Sequence, residues 1–190
     1  MKQLRTAIVM LVAMTVLTGL VYPLLVTGIA QVVLPGKANG SLIERDGQLV
    51  GSSLIGQGFT DARYFWSRVS ATSPVGYNGA ASSGSNYGPL NPALLEAVGG
   101  RVDTLVAADP EHRKPVPIDL ATSSSSGLDP DVSPAGALYQ VPRVAQARGL
   151  DEARVRTLVG EHTTGRQLGF LGEPRVNVLQ LNLAMDALAP

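Results

Sequence analysis

A long run of apolar residues occupies the start of the chain. From Thr6 to Gly36 there are 31 consecutive residues without a charged side chain, and Ala7 to Leu34 are almost entirely apolar. A helix rises about 1.5 Å per residue, so this run exceeds the roughly 30 Å hydrocarbon core of a bilayer. The pattern predicts a transmembrane helix over residues 7–34.

The charges that flank this segment predict its direction in the membrane. Lys2 and Arg5 precede it, whereas the few charges shortly after it nearly cancel. Positive flanks tend to stay in the cytoplasm, so we expect residues 1–6 to be cytoplasmic and residues 36–190 to be outside. A cleaved signal peptide is the alternative. It is disfavoured because the apolar run is about twice the usual length and no A-x-A site follows it.

A proline lies in the middle of the segment. Pro23 has no N–H and crowds the carbonyl of Gly19, which predicts a kink or local unwinding near Gly19–Pro23. Thr15 and Gly19 stand four residues apart on one face, with Thr18 close by. Small and hydroxyl-bearing residues at this spacing let a second helix approach, although a lipid-facing helix also tolerates them. We expect Thr15, Gly19 and Pro23 to mark a docking surface for a partner helix.

After the membrane segment, helical and strand periods follow each other irregularly. This pattern predicts a single N-terminal transmembrane helix plus one mixed α/β (α+β) soluble domain over residues 36–190. Helix-start residues and hairpin turns set the expected boundaries. The predicted elements are a hairpin around Asp46-Gly47, a helix from Asn91-Pro92 to Ala108, a strand over Pro115–Ala121, a helix from Ser133-Pro134 to Gly149 interrupted at Pro142, a helix from Asp151 to about His162, a strand over Val176–Leu179 and a helix over Leu181–Leu188.

Residues 70–91 form a stretch of biased composition. They are mostly Ser, Gly, Asn, Ala and Pro, with Tyr77 and Tyr87 embedded. Such a stretch buries little apolar surface, so it predicts a long loop. A loop of this length inside a compact domain is usually functional or disordered.

Composition argues against several classes of function. Setting aside Lys2 and Arg5 leaves 13 of the 15 basic residues against 15 acidic ones, a formal charge of −2 on the domain. This balance argues against nucleic acid as a partner. The chain has no cysteine, which excludes disulfides and thiolate chemistry.

No pattern for a self-sufficient nucleotide site or a catalytic site is found. There is no P-loop, and His112 and His162 lack ligand spacing, so we expect surface histidines. No nucleophile-elbow sequence supports a Ser-His-Asp triad. Asp129-Pro130-Asp131 offers carboxylates to a cation, but we prefer an Asx turn at Asp129 and a helix-start charge at Asp131. The serines at 123–126 offer backbone N–H groups to an anion, but such runs are more often solvated turns.

Two polar residues on the predicted helix after Ser133 have side chains suited to binding a ligand or a partner. Gln140 and Arg143 fall, with Ala147, beside the face that meets the core. Gln140 offers both donor and acceptor, and Arg143 offers a planar fork. Together they suit a nucleotide's ribose and phosphate or a partner's carboxylates, and solvated helix residues are the alternative. Gln140 and Arg143 are therefore candidate nucleotide-binding residues, and no catalytic or metal-binding residue is predicted.

A series of different short motifs is spread along nearly the whole chain. They are Gly19–Leu24, Ala38–Leu42, Val50–Ser52, Ile55–Gln57, Tyr64-Phe65, Ser85-Asn86, Thr122, Ser126–Pro130, Gln140–Arg148 and Gly172–Leu179. Each is weak alone, but the ordered set resembles the KdpC family, the small accessory subunit of the bacterial ATP-driven potassium pump. The chain departs from the family pattern at Val69, where proline is usual, and at Asp131-Val132, where His-Ile is common.

This resemblance implies a role inside a complex in the bacterial cytoplasmic (inner) membrane. Family members accompany a channel-like potassium-translocating subunit and a P-type ATPase subunit that is phosphorylated on aspartate. The resemblance implies a non-catalytic subunit needed for assembly, with potassium as the transported ion. It also implies a catalytic chaperone that raises the ATP affinity of the hydrolysing subunit, with ATP shared between them and contacted at the glutamine that matches Gln140.

The predicted direction of the membrane helix conflicts with direct ATP contact, because an outside domain does not meet cytoplasmic ATP. In one hypothesis, a regulatory subunit contacts ATP through Gln140 and Arg143. In the other, a structural and gating subunit packs its helix in the membrane and caps the potassium-entry side without nucleotide contact. The charge flanks favour the second hypothesis, and the resemblance favours the first. A membrane-anchored extracytoplasmic enzyme is a third hypothesis that lacks a nucleophile or metal set.

Overall fold

The computed structural model describes residues 2–112 and 114–188. The chain divides into two compact units, with the boundary in sequence between Val50 and Gly51. This division reflects contacts within the chain, and it does not show where a bilayer would lie. The predicted cytoplasmic, transmembrane and outer segments therefore stay predictions. Four residues lie outside the described part of the chain: Met1 in the predicted cytoplasmic start, and Arg113, Ala189 and Pro190 in the predicted soluble domain.

The first unit begins with one long helix, as the apolar run predicts. Its α-helical parts are α1 (Lys2–Val16) and α2 (Tyr22–Val33), joined by a π-helical stretch at Leu17–Val21. Gln3–Val33 together form a 31-residue helix that is long and apolar enough to cross a membrane, with a mean hydropathy of 2.3 in its most apolar 18-residue window. Its most apolar window is 0% buried within the chain, which leaves its surface for lipid or another helix.

The π-helical stretch accommodates Pro23 in the helix. A proline has no N–H, and its ring presses on the carbonyl four residues earlier, here that of Gly19. Just before the proline, the N–H of Tyr22 donates to the carbonyl of Leu17, five residues back, which widens the turn. The predicted local unwinding near Gly19–Pro23 is confirmed and takes the form of a π turn.

A short hairpin follows the membrane helix. After α3 (Pro35–Ala38), strands β1 (Leu42–Arg45) and β2 (Gln48–Ser52) form a two-stranded sheet. Asp46 and Gly47 at the turn have φ values of 52° and 75°. A two-residue turn of this kind needs positive φ at both positions, which aspartate tolerates and glycine favours. The predicted hairpin is confirmed.

The second unit mixes helices with a small sheet, which confirms the α+β class. Its elements are α4 (Pro92–Ala108), α5 (Ile118–Ala121), β3 (Asp131–Val132), α6 (Pro134–Arg148), α7 (Glu152–Glu161), β4 (Thr163–Thr164), β5 (Arg175–Asn177) and α8 (Val178–Leu188). Strand β5 lies between β3 and β4 and is antiparallel to both. Val132 and Thr163 both stand opposite Val176.

Helix α6 is the central element of this unit and contacts α5, α7, β3 and β5. At its start, the N–H of Gly136 donates to Ser133 Oγ at 2.9 Å, and at its end Gly149 adopts a φ of 64°. Asn91 and Asp151 cap α4 and α7 in the same way, so these predicted helix boundaries are confirmed. The surrounding core consists of Phe65, Trp66, Leu105, Leu120, Val132, Ala137, Val141, Val144, Ala145, Val155, Val159, Val176, Val178, Leu181 and Met185.

The predicted interruption of α6 at Pro142 is wrong, because the helix continues through the proline. An interior proline leaves the carbonyl four residues earlier without a helical partner and costs about 3 kcal/mol. That carbonyl belongs to Leu138, a residue that is 39% exposed. Val141 and Val144 are fully buried on either side of the proline and hold the helix in the core.

Residues 115–121 do not form the predicted strand. Ile118–Ala121 instead form α5, in which the N–H of Thr122 donates to the carbonyl of Ile118 at 2.9 Å. Leu120 is fully buried while Ile118 is 78% exposed, so the two residues do not share a face as they would in a strand. Three apolar residues at alternate positions are too short a pattern to separate a strand from a helical turn.

The last strand and helix meet earlier than predicted. Strand β5 ends at Asn177, and α8 begins at Val178 and not at Leu181. The N–H of Gln180 donates to Asn177 Oδ1 at 3.1 Å, so the asparagine side chain caps the helix. The predicted helix end at Leu188 is confirmed.

Residues 70–91 form a loop, as predicted, and this loop packs against the serine run at 123–126. The N–H of Ser83 donates to the carbonyl of Ser126 at 3.1 Å. A Cβ on Gly127 would lie 2.7 Å from the Ser83 carbonyl oxygen, so the approach requires glycine. The prediction of a solvated turn at 123–126 is wrong, because its backbone pairs with the loop. A functional role for the loop stays a prediction.

Candidate functional site

The predicted residues Gln140 and Arg143 meet a piece of backbone that has no neighbouring strand. Residues 61–67, here named the clamped segment, form a turn followed by irregular chain. The segment carries Phe65 and Trp66 into the core, where they are 0% and 8% exposed. Buried backbone N–H and C=O groups need hydrogen-bond partners. Here those partners are side chains of α6 and α8.

Two buried amide side chains each pair with one residue of the clamped segment. Gln140 Oε1 accepts from the N–H of Trp66 at 2.7 Å, and Gln140 Nε2 donates to the carbonyl of Trp66 at 3.1 Å. Asn182, on α8, makes the same pair of bonds with Phe65, at 2.8 and 3.0 Å. Each amide thus takes the place of the strand residue that would pair with this backbone in a sheet.

Arg143 holds the same segment through its guanidinium. Its Nη1 donates to the carbonyl of Ala62 at 2.7 Å, and its Nη2 donates to the carbonyl of Tyr64 at 3.1 Å. Nη2 also donates to Gln140 Oε1 at 2.8 Å. The guanidinium carbon lies 4.3 Å from the centre of the Trp66 ring, within cation–π range. Arg143 therefore ties α6 to the segment and to the neighbouring amide.

Arg148 extends this arrangement at the end of α6. Its Nε donates to the carbonyl of Arg63 at 2.7 Å, and its Nη2 pairs with Asp186 of α8 at 2.8 Å. Its guanidinium carbon lies 4.9 Å from the centre of the Tyr64 ring. The side chain is 7% exposed, so this ion pair is largely shielded from water. Gln140, Arg143, Arg148 and Asn182 are together named the clamp.

Helical spacing explains why these residues act together. Gln140 and Arg143 are three residues apart on α6, and Asn182 and Asp186 are four apart on α8. Residues at these spacings project from one face of a helix. The two polar faces lie on either side of the clamped segment, which allows one short stretch of backbone to be bonded from both helices.

Burial and charge pairing perturb two groups at this site. Burial lowers the pKa of Arg143 to about 10, and the negative charge of Asp109 opposes that shift. The guanidinium is still protonated at neutral pH, and its bonds to carbonyl oxygens offset part of the cost of burying the charge. At the exposed start of the segment, hydrogen bonds from Arg63 lower the pKa of Asp61 to about 2.

Gln140 uses its full hydrogen-bonding capacity inside the protein. Its oxygen accepts from Trp66 and Arg143, and its nitrogen donates to Trp66 and, at 3.3 Å, to Gly136. A side-chain amide has two acceptor positions and two donors, so all four are occupied. The alternative that Gln140 and Arg143 are solvated helix residues is wrong, since they are 1% and 5% exposed.

The three predicted docking residues lie in the first unit, on the membrane helix. Thr15 is in α1, Gly19 in the π-helical stretch and Pro23 in α2, and all three are exposed. The space that a Cβ on Gly19 would occupy has no atom within 4 Å. Thr18 Oγ1 donates to the carbonyl of Met14 at 2.7 Å, so that hydroxyl is satisfied within its own helix. Docking at this surface stays a prediction.

Arginines neutralise the predicted carboxylate pair near β3. Asp129 Oδ1 accepts from the N–H of Asp131 at 3.0 Å, which confirms the Asx turn, and its other oxygen pairs with Arg68 at 2.8 Å. Asp131 pairs with Arg175 at 3.0 Å and lies in β3, so the expectation of a helix-start charge is wrong. Burial raises the pKa of Asp131, and the neighbouring Asp129 adds to the shift. Among the described residues, no three metal-ligating side chains gather to hold an ion.

Sequence reasoning missed Asn182 and Arg148 as members of the clamp. The available signal was a polar residue among apolar ones on the predicted helix, because Asn182 is buried together with Leu181 and Met185. A buried amide needs a hydrogen-bond partner. That requirement does not identify a partner 117 positions away, which is the separation between Asn182 and Phe65.

We expect loss of either amide to destabilise the domain. Gln140→Ala leaves the N–H and carbonyl of Trp66 buried without partners, and each such group costs about 1–3 kcal/mol, so the free energy of unfolding should fall by about 3 kcal/mol. Asn182→Ala should have a similar effect through Phe65. Gln146→Ala, exposed on the same helix, should change stability by less than about 0.5 kcal/mol. Urea unfolding in detergent, followed by Trp66 fluorescence, measures all three, and equal stability of the two glutamine variants would contradict the clamp.

The whole length of the chain is similar to one family of membrane-complex subunits. The family model described as "KdpC: K+-transporting ATPase, c chain" matches residues 4–187. A protein named "Potassium-transporting ATPase KdpC subunit" from Herpetosiphon aurantiacus is 64% identical over 182 residues, covering 96% of this chain and 94% of the relative. Relatives of the same name from Sorangium cellulosum and Dechloromonas aromatica are 63% and 59% identical over 186 residues, covering 98% of this chain and 98% and 97% of themselves. The chain belongs to the KdpC family.

Proposed function

We propose that this chain is a non-catalytic accessory subunit of a potassium-transporting ATPase complex, held in a bacterial cytoplasmic membrane by one transmembrane helix. The observation that carries the proposal is full-length similarity, which covers 98% of this chain and 98% of a relative that bears the subunit's name. Anchor and domain are therefore both shared with that relative. In this role the partners are the channel-like subunit that translocates potassium and the P-type subunit that hydrolyses ATP, and potassium is the transported ion.

Within the complex, the soluble domain acts in assembly and gating. This role is supported by Gln140 and Arg143, whose hydrogen bonds are made within the domain. Gln140 has no donor or acceptor left for a ligand, and Arg143 bonds to the backbone of the clamped segment. A fully satisfied buried polar network rigidifies the structure that contains it. A rigid domain of this kind suits a subunit that supports or caps a partner.

Direct nucleotide contact is the second candidate function. The family resemblance predicts a catalytic chaperone that contacts ATP through Gln140 and raises the ATP affinity of the hydrolysing subunit, and the chemistry of Arg143 makes it the second candidate residue. Such contact would require Gln140 to exchange bonds with Trp66, Gly136 or Arg143 for bonds with the ligand. The contact stays a prediction, and variants that damage the clamp equally can test it.

Gln140→Ala and Asn182→Ala each remove one clamp amide, but only Gln140 belongs to the nucleotide hypothesis. If the domain acts structurally, we expect the purified complex to show the same apparent KM for ATP with either variant, within about twofold. A lost nucleotide contact of about 1.4 kcal/mol would raise the KM about tenfold for Gln140→Ala alone. ATPase assays over a range of ATP concentrations distinguish the two, and a rise specific to Gln140→Ala would contradict the structural role.

The domain lies on the outer side of the membrane in this proposal. The support is the positive charge of Lys2 and Arg5 before the helix, compared with nearly cancelling charges after it. An outside domain is on the side from which potassium enters the pump. It is also separated from cytoplasmic ATP by the bilayer.

A cysteine-free chain allows this direction to be tested with single cysteines. Ser83 is exposed in the second unit, and Gln3 is exposed at the start of the membrane helix. We expect Ser83→Cys to react with a membrane-impermeant maleimide in intact spheroplasts, and Gln3→Cys to react only after lysis. Mass spectrometry or a gel shift measures the labelled fraction. The opposite order of reactivity would place the domain in the cytoplasm.

The membrane helix docks against a partner helix through the surface near its π turn. The support is the exposure of Thr15, Gly19 and Pro23 and the open space beside Gly19. A small residue allows close approach of two helices in a membrane. The π turn adds one residue to the helical register, so it also sets which side chains before and after Pro23 share a face.

Pro23→Leu should weaken this docking without preventing insertion. The new N–H can donate to the carbonyl of Gly19, which favours a regular α turn and rotates the two halves of the helix by about 100° relative to each other. We expect an unchanged amount of the chain in the membrane but several-fold lower recovery of the complex in detergent. Val33→Leu, at the far end of the same helix, serves as the control. Equal recovery for both variants would make the segment a plain anchor.

A further inference from the structure

A groove of about 550 Å³ opens in the second unit between α4, the loop at 70–91 and the residues after α5. Its walls combine apolar side chains with a few polar ones. The residues that matter here are Val69, Tyr87, Leu94, Val98 and Arg101. The clamp lies elsewhere, and neither Gln140 nor Arg143 lines this groove.

Arg101 is a half-buried cation at this groove without a carboxylate partner in the described part of the chain. Its Nε and Nη2 donate to the carbonyls of Leu120 and Ser67 over long distances, 3.3 and 3.4 Å. Its Nη1 donates to no described group. The guanidinium carbon lies 5.6 Å from the centre of the Trp66 ring, on the outer edge of cation–π range.

Other arginines of the domain are compensated differently. Arg148 pairs with Asp186, and Arg68 pairs with Asp129, each at 2.8 Å. Arg143 is more buried than these, but it makes three hydrogen bonds and stacks on Trp66. Burial lowers the pKa of Arg101, which means that its surroundings disfavour the charge. An anion supplied from outside the chain would relieve this cost.

A second donor faces the same groove. Tyr87 lines it and is 43% exposed, and its hydroxyl has no partner among the residues that the structure describes. An arginine and a tyrosine hydroxyl together match the two oxygens of a carboxylate. A phosphate group carries more charge and is usually bound by several donors or by a helix N-terminus. The apolar residues Val69, Leu94 and Val98 suit carbon atoms beside the anion.

We propose that this groove is a docking site for an acidic side chain, flanked by apolar residues, of another subunit of the complex. The proposal rests on the proposed function, because it needs a partner subunit. Charge complementarity indicates the occupant, since the groove offers a cation with no carboxylate partner among the described residues, beside an apolar wall. The contact would supply Arg101 with the carboxylate that the described part of its own chain does not provide, so we expect the ion pair to form on assembly.

A zero-length cross-link in the assembled complex tests the site. In Arg101→Lys, the lysine introduced has an amine that a water-soluble carbodiimide joins to a carboxylate in salt-bridge contact, whereas the wild-type guanidinium does not react. We expect an adduct between this chain and one partner subunit, at least about tenfold more abundant than in Arg154→Lys, an exposed control on α7. Peptide mass spectrometry identifies the acidic residue that is joined.

The outcomes separate this proposal from the function on which it rests. A complex that purifies intact but gives only the control level of adduct would overturn the docking site and leave the subunit role standing. An adduct with a lipid would overturn the assignment to a protein partner. If the wild-type chain does not co-purify with the other subunits, the subunit role fails, and the docking site fails with it.

A second pair of variants retains the native Arg101. Leu94→Glu places a carboxylate on the wall of the groove, where it competes with the partner for the arginine. Leu94→Gln has nearly the same size without the charge. We expect several-fold lower recovery of the complex for Leu94→Glu than for Leu94→Gln, and high salt should reduce the difference. Equal recovery of the two variants would overturn the proposal.

Discussion

The soluble domain depends on how it satisfies the backbone of residues 61–67. A buried peptide group without a hydrogen-bond partner costs on the order of 1–3 kcal/mol, and this segment has no neighbouring strand. Gln140 from α6 and Asn182 from α8 provide the missing donors and acceptors. The same bonds allow Phe65 and Trp66 to enter the core between the helices. Burial of the segment and packing of the two helices are therefore coupled, and neither is complete without the other.

The same constraint explains why the sequence does not reveal that Gln140 and Arg143 are buried. Helical periodicity places both residues beside the apolar face, which is where recognition residues and solvated residues also occur. Periodicity does not say whether such a face meets water or an unpaired piece of backbone. The distinction depends on residues 61–67, which lie more than 70 positions earlier in the chain. Single-sequence reasoning identified the hydrogen-bonding chemistry of these side chains but not the backbone segment within the chain that they bond to.

Features set by neighbours in sequence were predictable, and features set by distant contacts were not. The caps at Asn91 and Asp151 and the unwinding before Pro23 follow from local chemistry, and all are present. Pro142 was expected to interrupt α6, but buried contacts on both sides hold the helix together. Arg101 has no distinguishing sequence signal, because whether an arginine has a carboxylate partner is known only once its described surroundings are known.

The hydrogen bonds of Gln140 and the predicted direction of the membrane helix both bear on whether this chain contacts ATP. The saturated amide and the predicted outside location both argue against direct contact with cytoplasmic ATP. An outside domain can influence nucleotide affinity only if two conformations of the complex differ on both sides of the membrane. In this chain, the π turn at Leu17–Val21 is a membrane segment whose hydrogen bonds can shift by one residue. The clamp instead fixes its segment through several buried bonds, so coupling through this chain is expected in the membrane helix and not within the core of the domain.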